Sequence, residues 1–200
     1  MDLKSIEKIA STCTLCDLHA GRNLPVFYKG NPQADIIICG MVPADEENNS
    51  GLPFVGKAGK LLDVILNEVG LGLDCVYITN LVKCYLAAGK PLKEEWVDSC
   101  LPYLIAQIGV IQPKVIITLG KDASGALLEF RNKPLGKVRG KFYDYGYVTK
   151  IVPTYHPAYL VRYGGTSHRN YNDVIEDFLL AKRVASGEFD PSGAGPSLEN

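Results

Sequence analysis

Cys13 and Cys16 stand two residues apart in STCTLCDLHAG, a spacing that lets two thiolates reach one metal or form one redox pair. Cys84 and Cys100 lie a loop and a helical stretch apart, so only a folded chain can bring all four together. By ligand count four thiolates suit an iron–sulfur centre and zinc equally well. Cys39 ends an apolar run and Cys75 begins one, and both read as core residues. Of the three histidines, His156 sits in YHPAYL, where Pro157 fixes the backbone just after it. His19, beside the cysteines, is a spare ligand or a surface residue; His168, before the last helical stretch, contacts phosphate or is simply solvated. Asn80 closes a strand pattern and offers a carboxamide, donor and acceptor side by side, although asparagine there also makes turns. Phe54, in GLPFVG, is an aromatic in a glycine-bounded loop, where an ordinary core phenylalanine is less expected.

Those residues need a scaffold, and the composition allows one. The 200 residues are 46% hydrophobic, enough for a sizeable core in one domain. No run approaches eighteen apolar residues, so no membrane span is expected. The N-terminal MDLKSIEKIA mixes charges into what an export leader would keep apolar, so the expected location is cytoplasmic. In a reducing compartment the six cysteines are metal ligands or buried apolar residues rather than disulfides. A net charge of −1 gives no global pull toward a polyanion, so any basic surface must be local.

Helical and strand patterns alternate along the chain. Helical spacing covers 2 to 12, 57 to 69, 93 to 111, 121 to 130 and about 170 to 185, with Pro102 expected to bend or divide the third of these. Apolar runs at 34 to 40, 75 to 79, 113 to 120 and 149 to 154 read as strands. Four buried strands separated by helices imply a mainly parallel sheet covered on both faces. The tail from 187 to 200, rich in Gly, Pro and Ser, is expected to be disordered, leaving 1–186 as a single domain. In such a sheet the loops at the carboxyl ends of the strands hold the site. Three of them, CGMVPADEENNSGLPFVGKAG, TNLVKCYLAAGKP and YHPAYLVRYGG, carry polar and aromatic residues that a structural turn does not need.

The order of these motifs resembles the family-four uracil-DNA glycosylases. The match runs through CTLC, G-x-x-P-x-D-E-x-x-x-x-G-x-P-F-V-G-x-A-G-x-L-L, YITNLVKC, Cys100, a strand ending in TLG, and YHPAYLVR. It covers nearly everything from residue 10 to 180. The resemblance implies an α/β three-layer sandwich around a central, mainly parallel four-stranded sheet. It also implies a [4Fe–4S] cluster held by Cys13, Cys16, Cys84 and Cys100, with a structural job, since the family's reaction is a hydrolysis without electron transfer. The activity implied is monofunctional excision of uracil from single- or double-stranded DNA, leaving an abasic site, by a protein expected to act as a monomer. Phe54 then stacks on the flipped base, Asn80 reads its Watson–Crick edge and His156 stabilises the departing uracil anion. Leu160 resembles the wedge that fills the hole in the duplex. Arg162, Arg139, Lys57 and Lys83 are candidate phosphate contacts.

The chain departs from the family in its first motif. Residues 40 to 44 read GMVPA where G-E-x-P-G is usual, so Gly40 is kept, but Met41 replaces a carboxylate and Ala44 a glycine. Either backbone groups or a neighbouring acid such as Glu47 orient the water, or activity is reduced or redirected. The alternatives are therefore a glycosylase for another deaminated base, and a catalytically weak DNA-binding or polymerase-associated module.

Overall fold

The computed structural model describes residues 1–128 and 133–188. Its centre is a strand buried along its whole length, β2 (Ile36–Gly40), whose sequence IIICG has no polar face to turn outward. Side chains alternate across it. Ile36 and Ile38 enter one apolar cluster and Ile37 and Cys39 the other, as the two-residue period of a strand demands. The same division runs through β3 (Val76–Asn80), β4 (Val115–Leu119) and β6 (Thr149–Thr154), and the four pair in parallel in the order β3-β2-β4-β6.

Each face is roofed by helices. On the Ile38 side lie α3 (Lys57–Glu68), through Leu62, Ile65 and Leu66, and α8 (Tyr171–Ser186), through Val174, Phe178 and Ala181. On the Ile37 side lie α4 (Glu94–Ile111), through Leu104 and Ile108, and α5 (Lys121–Leu128), through Ala123 and Leu127. The three layers expected from the sequence are present. The sheet has six strands rather than four, because β1 (Lys29–Gly30) and β5 (Tyr143–Tyr145) add antiparallel edges to β3 and β6. Both are too short for a period-2 signal to register.

Two other expectations change. Pro102 does not divide α4, which runs unbroken past it; the proline lies on the exposed side of the helix. Cys75 is exposed and precedes β3 rather than opening it. Cys39 is core, and burial pushes its thiol up to about 12. Residues 129 and 130 of the helix expected over 121 to 130, and 189 to 200 of the expected disordered tail, lie outside the described residues. Among the described residues no helix is long and apolar enough to cross a membrane.

The chain leaves β2 for β3 on one side and then crosses to β4 on the other. The sheet order therefore reverses beside β2, where open α/β sheets form their crevices.

Candidate active site

Gly40 and Met41 leave the carboxyl end of β2, Asn80 ends β3, and His156 follows β6, so all four stand at the same crevice. The crevice is a cavity of about 260 Å³, and Met41, Glu47, Phe54, Asn80, His156 and Arg162 all line it. Those six site residues picked out in the sequence are thus brought together, with Gly40 forming the floor beneath two of them. A Cβ at Gly40 would stand 2.4 Å from both Asn80 Oδ1 and Phe54 Cζ. Only glycine lets those side chains close over the strand end.

Phe54 is held in an uncommon backbone conformation, with φ of +55°, which costs a non-glycine residue about 1 to 3 kcal/mol. Three contacts impose it. The Glu47 carboxylate, on α2 (Asp45–Ser50), accepts the Val55 and Gly56 N–H groups at 2.9 and 3.0 Å and the Ala44 N–H at 3.1 Å. Lys29 Nζ donates to the Phe54 carbonyl at 2.7 Å. Gly59 in α3 supplies the third, since a Cβ there would lie 1.9 Å from that same carbonyl oxygen. Glu47 is 7% exposed, and its oxygens are largely committed to the loop that presents Phe54. Neither Lys29 nor the clamp made by Glu47 was read from sequence; the glycine inside a helical pattern at 59 is the signal that could have found the close approach.

His156 caps α7 (Pro157–Arg162), its Nδ1 accepting the Ala158 N–H at 3.0 Å. In the neutral ring that bond leaves the proton on Nε2, as a donor. Burial lowers the pKa of His156 from 6.5 to about 4, against the pull of the Glu47 carboxylate. The ring is therefore neutral at physiological pH. Asn80 is 2% exposed; its main-chain carbonyl accepts a hydrogen bond from Lys83 at 2.6 Å, and its carboxamide borders the cavity.

Three assignments are corrected. Leu160 is fully buried among the residues of the Ile38-side core, so it is not a side chain on hand to enter a duplex. Arg139 is tied in a fork to Asp177 at 2.8 and 2.9 Å and to Asp173 at 3.1 Å, which makes it a clasp between α8 and the segment before β5. Lys83 is 1% exposed and cannot reach a phosphate. Arg162 and Lys57 are exposed, Arg162 on the cavity wall. His19 Nδ1 donates to the Cys16 carbonyl at 2.7 Å. His168 accepts the Asn170 N–H at 3.0 Å and packs edge-on to Tyr159, so both are occupied locally.

The cysteines of the sequence motif gather beside this site. Cys84 and Cys100 are buried, and Cys13 and Cys16 half-buried. Arg22 donates to Cys84 Sγ at 3.0 Å and to the Cys13 carbonyl at 2.8 Å, while the Lys83 N–H donates to Cys100 Sγ at 3.2 Å. Burial pushes the Cys84 thiol up, Arg22 opposes it, and Cys16 and Cys13 are close enough to add to the rise. Burial likewise pushes Cys100 up to about 11, with Cys84 and Cys16 adding to it. Cys84 thus lies within electrostatic range of Cys13, Cys16 and Cys100. Among the described residues, no three His, Cys, Asp or Glu side chains are grouped so as to hold a metal ion.

A model of the uracil DNA glycosylase superfamily matches residues 27–179. The chain is 44% identical over 188 residues to a type-4 uracil-DNA glycosylase of Saccharolobus solfataricus, covering 88% of this chain and 83% of that one. It is 39% identical to a type-4 uracil-DNA glycosylase of Pyrobaculum aerophilum, over 81% of this chain and 86% of the relative. It is 36% identical to another from Thermotoga maritima, over 93% and 96%.

Proposed function

The chain belongs to the uracil-DNA glycosylase superfamily and, within it, to the type-4 enzymes, and from that premise we propose that it hydrolyses the N-glycosidic bond of deoxyuridine in DNA, as a monomer, releasing uracil and leaving an abasic site. The observation that carries this reading is the convergence of Phe54, Asn80 and His156 on one cavity at the topological switch point.

The glycosidic bond is out of reach inside a base stack, so the nucleotide must first swing into the cavity. There Phe54 offers an aromatic surface, and the Asn80 carboxamide offers the paired donor and acceptor that match one edge of uracil. As the C1′–N1 bond breaks, its electron pair leaves with uracil. Negative charge collects on the base and positive charge on the sugar. The Nε2–H of neutral His156 is the donor for the anion, and it is already oriented by its bond to Ala158. The Glu47 carboxylate, on the cavity wall, favours the cationic sugar while its oxygens hold the loop of Phe54. Water adds at C1′, and its proton balances the departing uracil anion. Met41 supplies no base for that step.

The donor set of Cys13, Cys16, Cys84 and Cys100 fits an iron–sulfur cluster: four thiols, two of them buried, beside the cation of Arg22. By ligand count the same four thiolates would suit zinc as well, and it is the membership of the type-4 enzymes that favours the cluster. When bound, a [4Fe–4S] cluster there would cross-link the N-terminal segment to the stretch from 84 to 100, a structural role, because hydrolysis moves no electrons.

The test is incubation with labelled strands carrying uracil, hypoxanthine or thymine opposite G or A, followed by alkali. Cleavage of the uracil strands alone is expected. Cleavage at hypoxanthine instead would redirect the reading to another deaminated base, and no cleavage of any strand would leave a DNA-binding module.

A further inference from the structure

Among the described residues Lys83 is the one buried lysine, 1% exposed, three positions beyond the end of β3. Its ammonium donates to the Asn80 carbonyl at 2.6 Å and to Thr79 Oγ1 at 2.8 Å. Thr79 passes the connection on, donating from the same hydroxyl to the Phe27 carbonyl at 2.7 Å, and the Phe27 ring lies 5.8 Å from the ammonium. The main chain of Lys83 is anchored separately. Its N–H donates to Cys100 Sγ at 3.2 Å and its carbonyl accepts the Val26 N–H at 2.8 Å.

Enclosing an ammonium is costly unless its donors find acceptors, and here they find the Asn80 carbonyl and the Thr79 hydroxyl. Packing alone does not explain the charge, since a methionine fills similar space without desolvating a cation. What a hydrocarbon cannot do is grip two oxygen atoms at the end of the strand that delivers Asn80. The strand stops there, and the next hydrogen bonds along the turn, Leu81 N–H to the Gly40 carbonyl and Val82 N–H to the Met41 carbonyl, run to the segment that forms the other wall of the cavity.

We propose that Lys83 is a positioning residue for base recognition: by holding the Asn80 carbonyl and the Thr79 hydroxyl, it fixes the main chain from which the Asn80 carboxamide enters the cavity, before any base arrives. This rests on the reading of the chain as a uracil-DNA glycosylase. The contribution is preorganisation. A carboxamide already in place meets the edge of uracil without losing freedom at the moment of binding. Lys83 touches no part of the substrate, so its effect is felt wherever Asn80 is used, with DNA or with the free base.

The test compares the parent with Lys83→Met in the iron-loaded, full-length protein. Single-turnover excision is expected to fall about ten- to a hundredfold, the size of a hydrogen bond from a charged donor. Inhibition by free uracil should weaken by a similar factor, with iron per chain unchanged. Lys83→Gln, which keeps N–H donors on a side chain one atom shorter, should recover part of both losses. A purely structural role would lower the melting temperature without moving the inhibition constant measured well below it. Parental values for rate and uracil inhibition in Lys83→Met overturn the proposal, as does a rate loss that merely tracks lost iron. If Lys83→Met is insoluble, Thr79→Val decides, by removing one of the two anchors: several-fold weaker uracil inhibition supports the proposal, and none overturns it. A parent that neither excises nor binds uracil overturns the functional reading and this proposal with it.

Discussion

The Phe54 and His156 rings face one another with centroids 5.8 Å apart and planes 25° apart, a separation at which aromatic rings are in contact. No base fits between them. A base entering the cavity lies against the pair, and the two residues that meet it also brace each other. Phe54 is thereby fixed from three directions: by His156 on its ring, by Glu47 through the next two peptide N–H groups, and by Lys29 at its carbonyl.

His156→Ala is expected to reduce single-turnover excision about 100- to 1000-fold, the usual cost of removing a donor to a developing anion. Restoring an acid with Met41→Glu is expected to change the rate less than about tenfold, because the bond to uracil breaks well ahead of water attack. Rapid-quench rates of both variants beside the parent check the order. A large gain from Met41→Glu would show that water activation limits the enzyme.

The lowered pKa of His156 also fixes a pH dependence. The unfolded state takes up a proton near 6.5 and the folded state only near 4, so between those values the unfolded chain binds more protons. On this account stability is unaffected above about pH 6.5, declines as pH falls toward 4, and changes no further below that. Melting temperatures across the window should fall less in His156→Ala than in the parent. The rate of excision should show no inflection between about pH 6 and 8 from this group, since its ring is already neutral there.

Gly40→Ala should abolish excision while leaving the fold standing. The added methyl has nowhere to go but against Asn80 Oδ1 and Phe54 Cζ, each at 2.4 Å, and both are side-chain atoms that can turn aside. A drop in rate of more than about 100-fold, with an unchanged far-ultraviolet circular dichroism spectrum, is the expected result. Full activity would mean that neither side chain is needed where it stands.

Leu160→Ala should act on stability rather than on the choice of substrate. Emptying a fully buried leucine site typically costs about 2 to 5 kcal/mol, so the melting temperature should fall markedly. Excision well below that temperature should drop equally on duplex and single strands. A loss confined to the duplex would restore Leu160 as a wedge and require α7 to turn outward on DNA.

The cysteine site predicts a brown protein when purified without oxygen, with absorbance near about 400 nm and roughly four irons per chain. Cys84→Ser and Cys100→Ser should lose iron and solubility together. Cys75→Ser should keep both, since that thiol is exposed and precedes β3 at the end of the sheet away from the cavity. A colourless protein with one zinc would replace the cluster by a single ion.

The parts of the molecule legible in the sequence are those in which one segment decides its own fate. IIICG has no polar residue, so it could only be a strand covered on both sides, and TKIVPT coincides with β6 to the residue. Leu160 was misplaced because YHPAYLVR reads as a loop. A six-residue helix is too short to announce a face, and it is helical phase that turns Leu160 inward while leaving Arg162 at the cavity. Arg139 and Lys83 were misjudged for a different reason. A basic residue is a surface residue until a partner is known, and the partner of Arg139 is Asp177, 38 positions later. Glu47 was found as an acid near the site, but its three peptide partners lie partly in a loop whose path no local pattern reveals.

The placement of α8 bears on how the chain is made. Its Val174, Phe178 and Ala181 complete the cluster that holds Ile38, Ile117 and Val152, residues of strands whose sequence is synthesised long before. Until α8 has left the ribosome, the Ile38 side of the nascent sheet is only partly covered, by α3, and stays partly open to other chains, the state in which slow-folding sheets aggregate. A stop codon near residue 170 would thus be expected to give insoluble material, although every residue lining the cavity has by then been translated.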